Sequence, residues 1–236
     1  MSPFSRTKQL LGDEGMERLA AARVAVFGIG GVGGYAAEAL VRSGIGHIDL
    51  IDNDVVMVTN LNRQIIATQE TLGRLKVDAM KERLHLINPN VVVKTYPCFF
   101  LPENASNFDF SAFDYVVDAV DTVTAKIEII CRCVQAGVPV VSCMGTGNKL
   151  YPEQLQLADL SKTTMCPLAR IMRKELGIRG IKHLPVVFSA EPIRESTENK
   201  NEKTTRRSIP GSTAFVPPAA GLILAGKVVR DLAQIQ

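Results

Sequence analysis

Residues 23 to 52, RVAVFGIGGVGGYAAEALVRSGIGHIDLID, decide the fold. RVAVFG is a short apolar run ending on glycine, the pattern of a buried strand. Gly28, Gly30 and Gly33 then give G-x-G-x-x-G, with Gly31 and Gly34 adding further freedom. A helix is expected from about Val32 to Ser43, stopped by Gly44 and Gly46. HIDLID reads as the second strand, with Asp52 at its end. In this strand-turn-helix setting the missing Cβ atoms let backbone N–H groups approach a phosphate, and the helix N-terminus adds positive potential. A carboxylate at Asp52 can hold ribose hydroxyls. Tight turn packing without a nucleotide is the alternative, and the flanking strand, helix and acid weigh against it.

Outward from this unit, residues 5 to 20 look like an amphipathic lead-in helix, and a long helix is expected from about Thr71 to Ile87, ended by Asn88-Pro89. VVVKTY, DYVVDAVD (114 to 121) and VPVVSCMG read as strands three to five, with TAKIEIICRCVQAG as a helix between the last two. The alternation argues for an α/β fold: a Rossmann-like, mostly parallel sheet with helices on both faces. Beyond Gly147 the rhythm changes. QLQLADLSKT alternates like an antiparallel strand, CPLARIMRKELG is a short basic helix with proline in its first turn, and LPVVFSAE is another strand. The second half therefore extends the sheet with antiparallel strands. Residues 194 to 212 are polar and read as a mobile loop, and a last helix runs from about Pro218 to Ala233. One domain is expected over 1 to 236, with a nucleotide-binding core (1 to 147) and a substrate-binding extension (148 to 236).

The bulk numbers are permissive. Hydrophobic content of 46% supports a buried core, and a net charge of +3 is too small to argue for nucleic acid alone. Cys98, Cys131, Cys133, Cys143 and Cys166 form no C-x-x-C pair, so no zinc site is expected and reduced thiols are the default. The N-terminus lacks an apolar signal core, and AFVPPAAGLILAG is too short to span a bilayer. A cytoplasmic protein without a membrane span is expected.

The next stretch, DNDVVMVTNLNRQ (52 to 64), brings more than a dehydrogenase needs. A hydride-transfer cofactor keeps its pyrophosphate, whereas an ATP attacked at the α-phosphate must have its leaving group neutralised and magnesium held. Arg63 offers a planar fork to phosphate oxygens, Asn60 a contact to phosphate or metal-bound water, and Lys76 a cation on the next helix. Asp121, expected at the end of strand four, is a hard oxygen ligand for Mg2+. Singly, each also fits a structural role: Asp54 capping a turn, Lys76 a solvated helix charge, Asp121 an N-cap.

In order, Gly28-x-Gly30-x-x-Gly33, Asp52-x-Asp54, Asn60-Leu61-Asn62-Arg63-Gln64, Lys76 and Asp121 resemble the ubiquitin-activating-type adenylating family, over roughly residues 5 to 147. The resemblance implies that Asp52 holds ribose, that Arg63 and Lys76 bind phosphates, and that Asp121 handles magnesium. It implies that Arg6, in FSRTKQLLG, reaches the ATP of a partner subunit in a homodimer. The activity implied is attack of a substrate carboxylate on ATP, giving an acyl-adenylate and pyrophosphate.

The second half narrows this. DLSKTTMCPLARIMRKELGIRG, VVFSAE and PGSTAFVPPAAGLILAGKVVRDL resemble the tRNA threonylcarbamoyladenosine dehydratase branch. That branch implies ATP-dependent cyclisation of N6-threonylcarbamoyladenosine beside the anticodon, with release of AMP. Sulfur-carrier adenylating relatives usually carry two C-x-x-C pairs, which are absent, and some branch members carry a cysteine where this chain has RRSIPGS. Adenylation of a ubiquitin-like sulfur carrier is the alternative, followed by a nucleotide sensor and a dehydrogenase. Lys162, Arg170, Arg173, Lys174, Arg206 and Arg207 are candidate tRNA phosphate contacts. A sulfur-transfer or redox partner and a monovalent cation are left open.

Overall fold

The computed structural model describes residues 2–194 and 210–235. Seven strands form one sheet in the order β3-β2-β1-β4-β5-β7-β6. They are β1 (Arg23–Phe27), β2 (His47–Ile51), β3 (Val92–Tyr96), β4 (Tyr115–Asp118), β5 (Val140–Cys143), β6 (Leu155–Asp159) and β7 (Pro185–Ser189). All neighbours pair parallel except β6, which lies antiparallel on β7. The expected antiparallel extension is thus a single edge strand. β1, β4 and β5 read as near-continuous apolar runs because helices cover both faces.

Helices α1 (Ser5–Ala21), α2 (Gly33–Arg42), α3 (Lys76–Ile87) and α6 (Val216–Ala233) pack on one face of the sheet. Helices α4 (Val123–Ala136) and α5 (Pro167–Ile178) pack on the other. The second core is aromatic: Phe27 stacks on Phe110 at 5.8 Å between centroids and meets Phe100 edge-on at 4.9 Å.

Four expectations change. The helix expected from Thr71 starts at Lys76, because Val56 N–H donates to the Arg74 carbonyl, Gly73 N–H donates to the Val56 carbonyl, and Val55 bridges Leu75. Those bonds hold residues 71 to 75 as a turn. Strand four ends at Asp118, so Asp121 lies in the loop beyond it. The lead-in helix is broken at Gly12, whose φ of 71° and ψ of 179° are not helical. The last helix opens at Val216, two residues early. Most of the loop expected at 194 to 212 lies outside the described residues. No described helix is long and apolar enough to cross a membrane.

Chain order reverses between β1 and β4, and such a switch point leaves a crevice at the carboxyl edge of the sheet. There α2 follows β1, α4 follows β4, and the long loop after β2 leads into α3.

Candidate active site

The carboxyl edge opens into a cleft of about 650 Å³. Gly28, Gly30 and Gly31, then Asp52, Asp54, Asn60, Arg63, Lys76 and Asp121, all line it. The cleft also takes in Phe99 and Phe100 after β3, Met144 to Gly147 after β5, and Ser212. α2 and α4 begin at this edge, so their unpaired N–H groups and dipoles add positive potential.

Two glycines are required by geometry. Gly28 has φ +87°, and a Cβ there would stand 2.7 Å from the Ala119 carbonyl oxygen. A Cβ on Gly33 would fall 1.8 Å from the Gly28 oxygen, so Gly33 lets α2 start against the turn rather than facing the cleft. At Gly30 the nearest atom to a Cβ would be Gln64 Nε2, 3.9 Å away, leaving room for a ligand.

Asp52 ties the glycine turn to the next loop. Its Oδ2 accepts from Ile29 N–H at 2.6 Å and its Oδ1 from Asp54 N–H at 2.8 Å. Burial holds its carboxyl above the usual carboxylate range, against the pull of Lys76 and the two backbone donors. A carboxylate has about four lone-pair sites, so acceptor capacity is left for hydroxyls.

Lys76, the first residue of α3, is 4% exposed and donates from Nζ to Asp54 Oδ2 at 2.6 Å. Asp54 is thus its counter-ion, holding the ammonium at the cleft. Asn60 is buried, and its Oδ1 accepts from Met57 N–H, closing its own turn. Arg63 donates from Nη1 to the Thr59 carbonyl at 2.8 Å and to Asn62 Oδ1 at 2.9 Å. Its other guanidinium donors make no hydrogen bond with the described residues. Buried Gln64 lines the cleft, and its Oε1 has no hydrogen-bond partner among the described residues. Such an orphaned polar atom fits a bound polar ligand better than an empty cleft.

Asp121 is exposed, and among the described residues its carboxylate accepts a hydrogen bond only from Thr122 Oγ1, at 3.4 Å. Among the described residues no three His, Cys, Asp or Glu side chains cluster as a metal cage. One exposed carboxylate beside a nucleotide-sized cleft is a donor set that suits magnesium when nucleotide oxygens supply other ligands.

A buried group below Asp121 escaped the sequence reading. Asp118 and Lys126 are each fully buried and lie 3.0 Å apart, Oδ2 to Nζ. The signal was the second acid of DYVVDAVD, Asp118, and the lysine in the first turn of the next helix.

The remaining candidates lie elsewhere. Arg6 is exposed near the start of α1, beside Phe4, whose ring lies 3.9 Å from where a Gly44 Cβ would stand. Gly44 follows α2 at the amino edge of the sheet, the end away from this cleft. Lys162, Arg170 and Lys174 are exposed around α5. Arg173 is half-buried and donates from Nη1 to the Thr163 carbonyl at 2.9 Å, fastening α5 to the preceding turn. Arg206 and Arg207 lie outside the described residues. Cys166 is buried at the start of α5, Cys133 lies in the core, and burial pushes the Cys143 thiol up to about 12.

A switch-point cleft with a glycine turn, a buried lysine, an arginine and an exposed carboxylate defines an α/β protein built around phosphate rather than around hydride transfer. The chain belongs to the ThiF family, whose model matches residues 4–234. It is 43% identical to the tRNA threonylcarbamoyladenosine dehydratase of Bacillus subtilis, across 97% of this chain and 94% of that one. A crystal structure of the Escherichia coli tRNA N6-threonylcarbamoyladenosine dehydratase in complex with ATP superposes with a TM-score of 0.88 at 34% identity, over 98% of this chain and 93% of that one. The adenylyltransferase and sulfurtransferase UBA4 of Vanderwaltozyma polyspora is 38% identical, but across 58% of this chain and 31% of its own length.

Proposed function

We propose that the protein adenylates the threonyl carboxylate of N6-threonylcarbamoyladenosine in tRNA and so drives its cyclisation, with ATP spent to AMP and pyrophosphate. The observation that carries this is the convergence of Gly30, Asp52, Arg63, Lys76 and Asp121 on one cleft, in a chain alike over nearly its whole length to a dehydratase of that name. The full-length likeness supports this reading over a sulfur-carrier substrate, for which the likeness is partial.

In this reading the glycine turn and the start of α2 receive phosphate oxygens, and Asp52 accepts from the ribose. Arg63 and Lys76 spread the charge that builds on the pyrophosphate as the α-phosphorus–oxygen bond breaks. Asp121, with ATP oxygens, would hold magnesium, which neutralises phosphate charge. The activated carbonyl is then attacked by the carbamoyl group of the same side chain, which loses a proton as AMP leaves. Because that nucleophile is already tethered, no enzyme thiol is required.

Two further parts belong to the proposal. The protein acts as a homodimer in which Arg6 serves the partner subunit's cleft, which its position at the amino edge of the sheet supports. Exposed Lys162, Arg170 and Lys174 contact tRNA phosphates, with Arg173 and the loop arginines Arg206 and Arg207 as further candidates.

Nucleoside mass spectrometry tests the reaction. With Mg-ATP and tRNA carrying the linear nucleoside, the modified base should lose the mass of one water, with AMP formed in step. An unchanged nucleoside alongside bound ATP would refute the proposal.

A further inference from the structure

We infer that Lys126, with Asp118 and Ser142, is a positioning residue that fixes the Asp121 loop for the adenylation step, an inference that rests on the role proposed for Asp121. Asp121 is exposed and its side chain makes one long hydrogen bond among the described residues, too little to fix its place there. Its orientation must come from the backbone of the turn joining β4 to α4. That turn is held from two sides. On the β1 side, Ala119 N–H donates to the Phe27 carbonyl at 2.8 Å. On the other, Lys126 Nζ reaches back from α4 and donates to the Val120 carbonyl at 3.0 Å, one residue before Asp121.

Nothing about stability alone calls for a lysine there. A fully buried ammonium is costly to desolvate, and an apolar pair of like size usually serves the fold as well. Here the charge is met by Asp118, with Nζ 3.1 Å from Oδ1 and 3.0 Å from Oδ2. Asp118 is in turn held by Ser142 Oγ, which donates to Oδ2 at 2.6 Å, and its Oδ1 faces Val120 N–H at 3.3 Å. The group therefore grips both the N–H and the C=O of Val120 and ties them to β5. Lys126 never touches the cleft. It acts through Val120, by denying the preceding peptide freedom to rotate and carry Asp121 off line. An ångström of misplacement at a reacting centre is enough to cost about a hundredfold in rate.

The test replaces the charged pair by an apolar one, Asp118→Leu with Lys126→Met, and separately makes Ser142→Ala, which removes a donor without stranding a charge. ATP binding, thermal unfolding and the Mg2+ dependence of AMP formation are measured on the full chain with tRNA. The double variant is expected to melt within a few degrees of wild type and to bind ATP within about threefold. Its kcat should fall at least tenfold, and the half-saturating Mg2+ concentration should rise. Ser142→Ala should shift both in the same direction by less, and it decides the matter if the double variant does not fold. Wild-type kcat and Mg2+ dependence in a folded double variant, or in Ser142→Ala where that variant decides, would overturn the inference. A wild-type protein that forms no AMP would instead overturn the proposed function, so the two failures are distinct.

Discussion

Asp52 shows at the residue scale how a site residue works against the fold. Burial raises its folded-state pKa above the unfolded value, so the folded chain binds more protons over that interval. Its contribution to stability is present below the unfolded pKa and lost as pH rises through the folded one. At neutral pH its ionisation costs stability, but both of its oxygens accept backbone N–H groups, so Asp52→Asn turns an amide N–H against one of those donors and should lower the melting temperature. The same charge is what a ribose hydroxyl needs. ATP affinity should therefore weaken as pH falls through the raised pKa, sooner than for an ordinary carboxylate, and Asp52→Asn should bind weakly with that pH dependence gone. ATP titrations across the acidic range decide this, and a variant that keeps the wild-type profile would remove Asp52 from the ribose role. Lys76 is the reverse case. Its counter-ion Asp54 is half in solvent, but the buried Asp52 carboxylate also loses the pull of the ammonium, so Lys76→Met should cost the fold on the order of 1 kcal/mol. Loss of a charge-assisted phosphate contact, about 1.5–3 kcal/mol, should lower kcat/KM for ATP by roughly 10- to 100-fold. Equal kinetics in wild type and Lys76→Met would mean that the ammonium never leaves Asp54.

At the scale of elements, the glycine turn and the buried strands were legible because each is dictated locally. A sheet covered on both faces demands apolar runs, and a Cβ at Gly28 or Gly33 meets backbone at 2.7 Å and 1.8 Å. What was not legible depends on contacts distant in sequence. Val56 captures the backbone of Gly73 and Arg74 and delays α3 to Lys76. Asp118 and Lys126 look in sequence like one more strand acid and one more helix charge, and only the packed turn makes them a pair. The break in α1 is a third case. Gly12 adopts φ 71°, ψ 179°, with open space where a Cβ would stand. Helix propensity alone would make Gly12→Ala stabilising by up to about 1 kcal/mol. The backbone conformation is nearly closed to any residue but glycine, at a cost of about 1–3 kcal/mol. Urea unfolding of Gly12→Ala should therefore show a loss, and a gain would mean that the break is not maintained in solution.

At the scale of the whole molecule, the position of Arg6 and the shape of the sheet set a test of assembly. The cleft lies at the carboxyl edge, while Phe4 and the start of α1 sit by Gly44 at the amino edge. An Arg6 that acts on ATP must then act on the ATP of another copy, in a closed twofold arrangement. Arg6→Ala and Asp121→Ala should each be inactive as pure dimers, for different reasons. When equal amounts exchange subunits freely, about half of the dimers are mixed. In each mixed dimer one cleft holds an intact Asp121 and receives the partner subunit's Arg6, while the other cleft lacks both. About a quarter of all clefts should thus be complete, and AMP formation should return to about that fraction of the wild-type rate. A protein whose arginine served its own cleft would recover nothing on mixing, since no subunit would carry both groups. Sedimentation of the mixture distinguishes that result from a failure to dimerise, and no recovery of activity in confirmed mixed dimers would mean that Arg6 does not act across the interface.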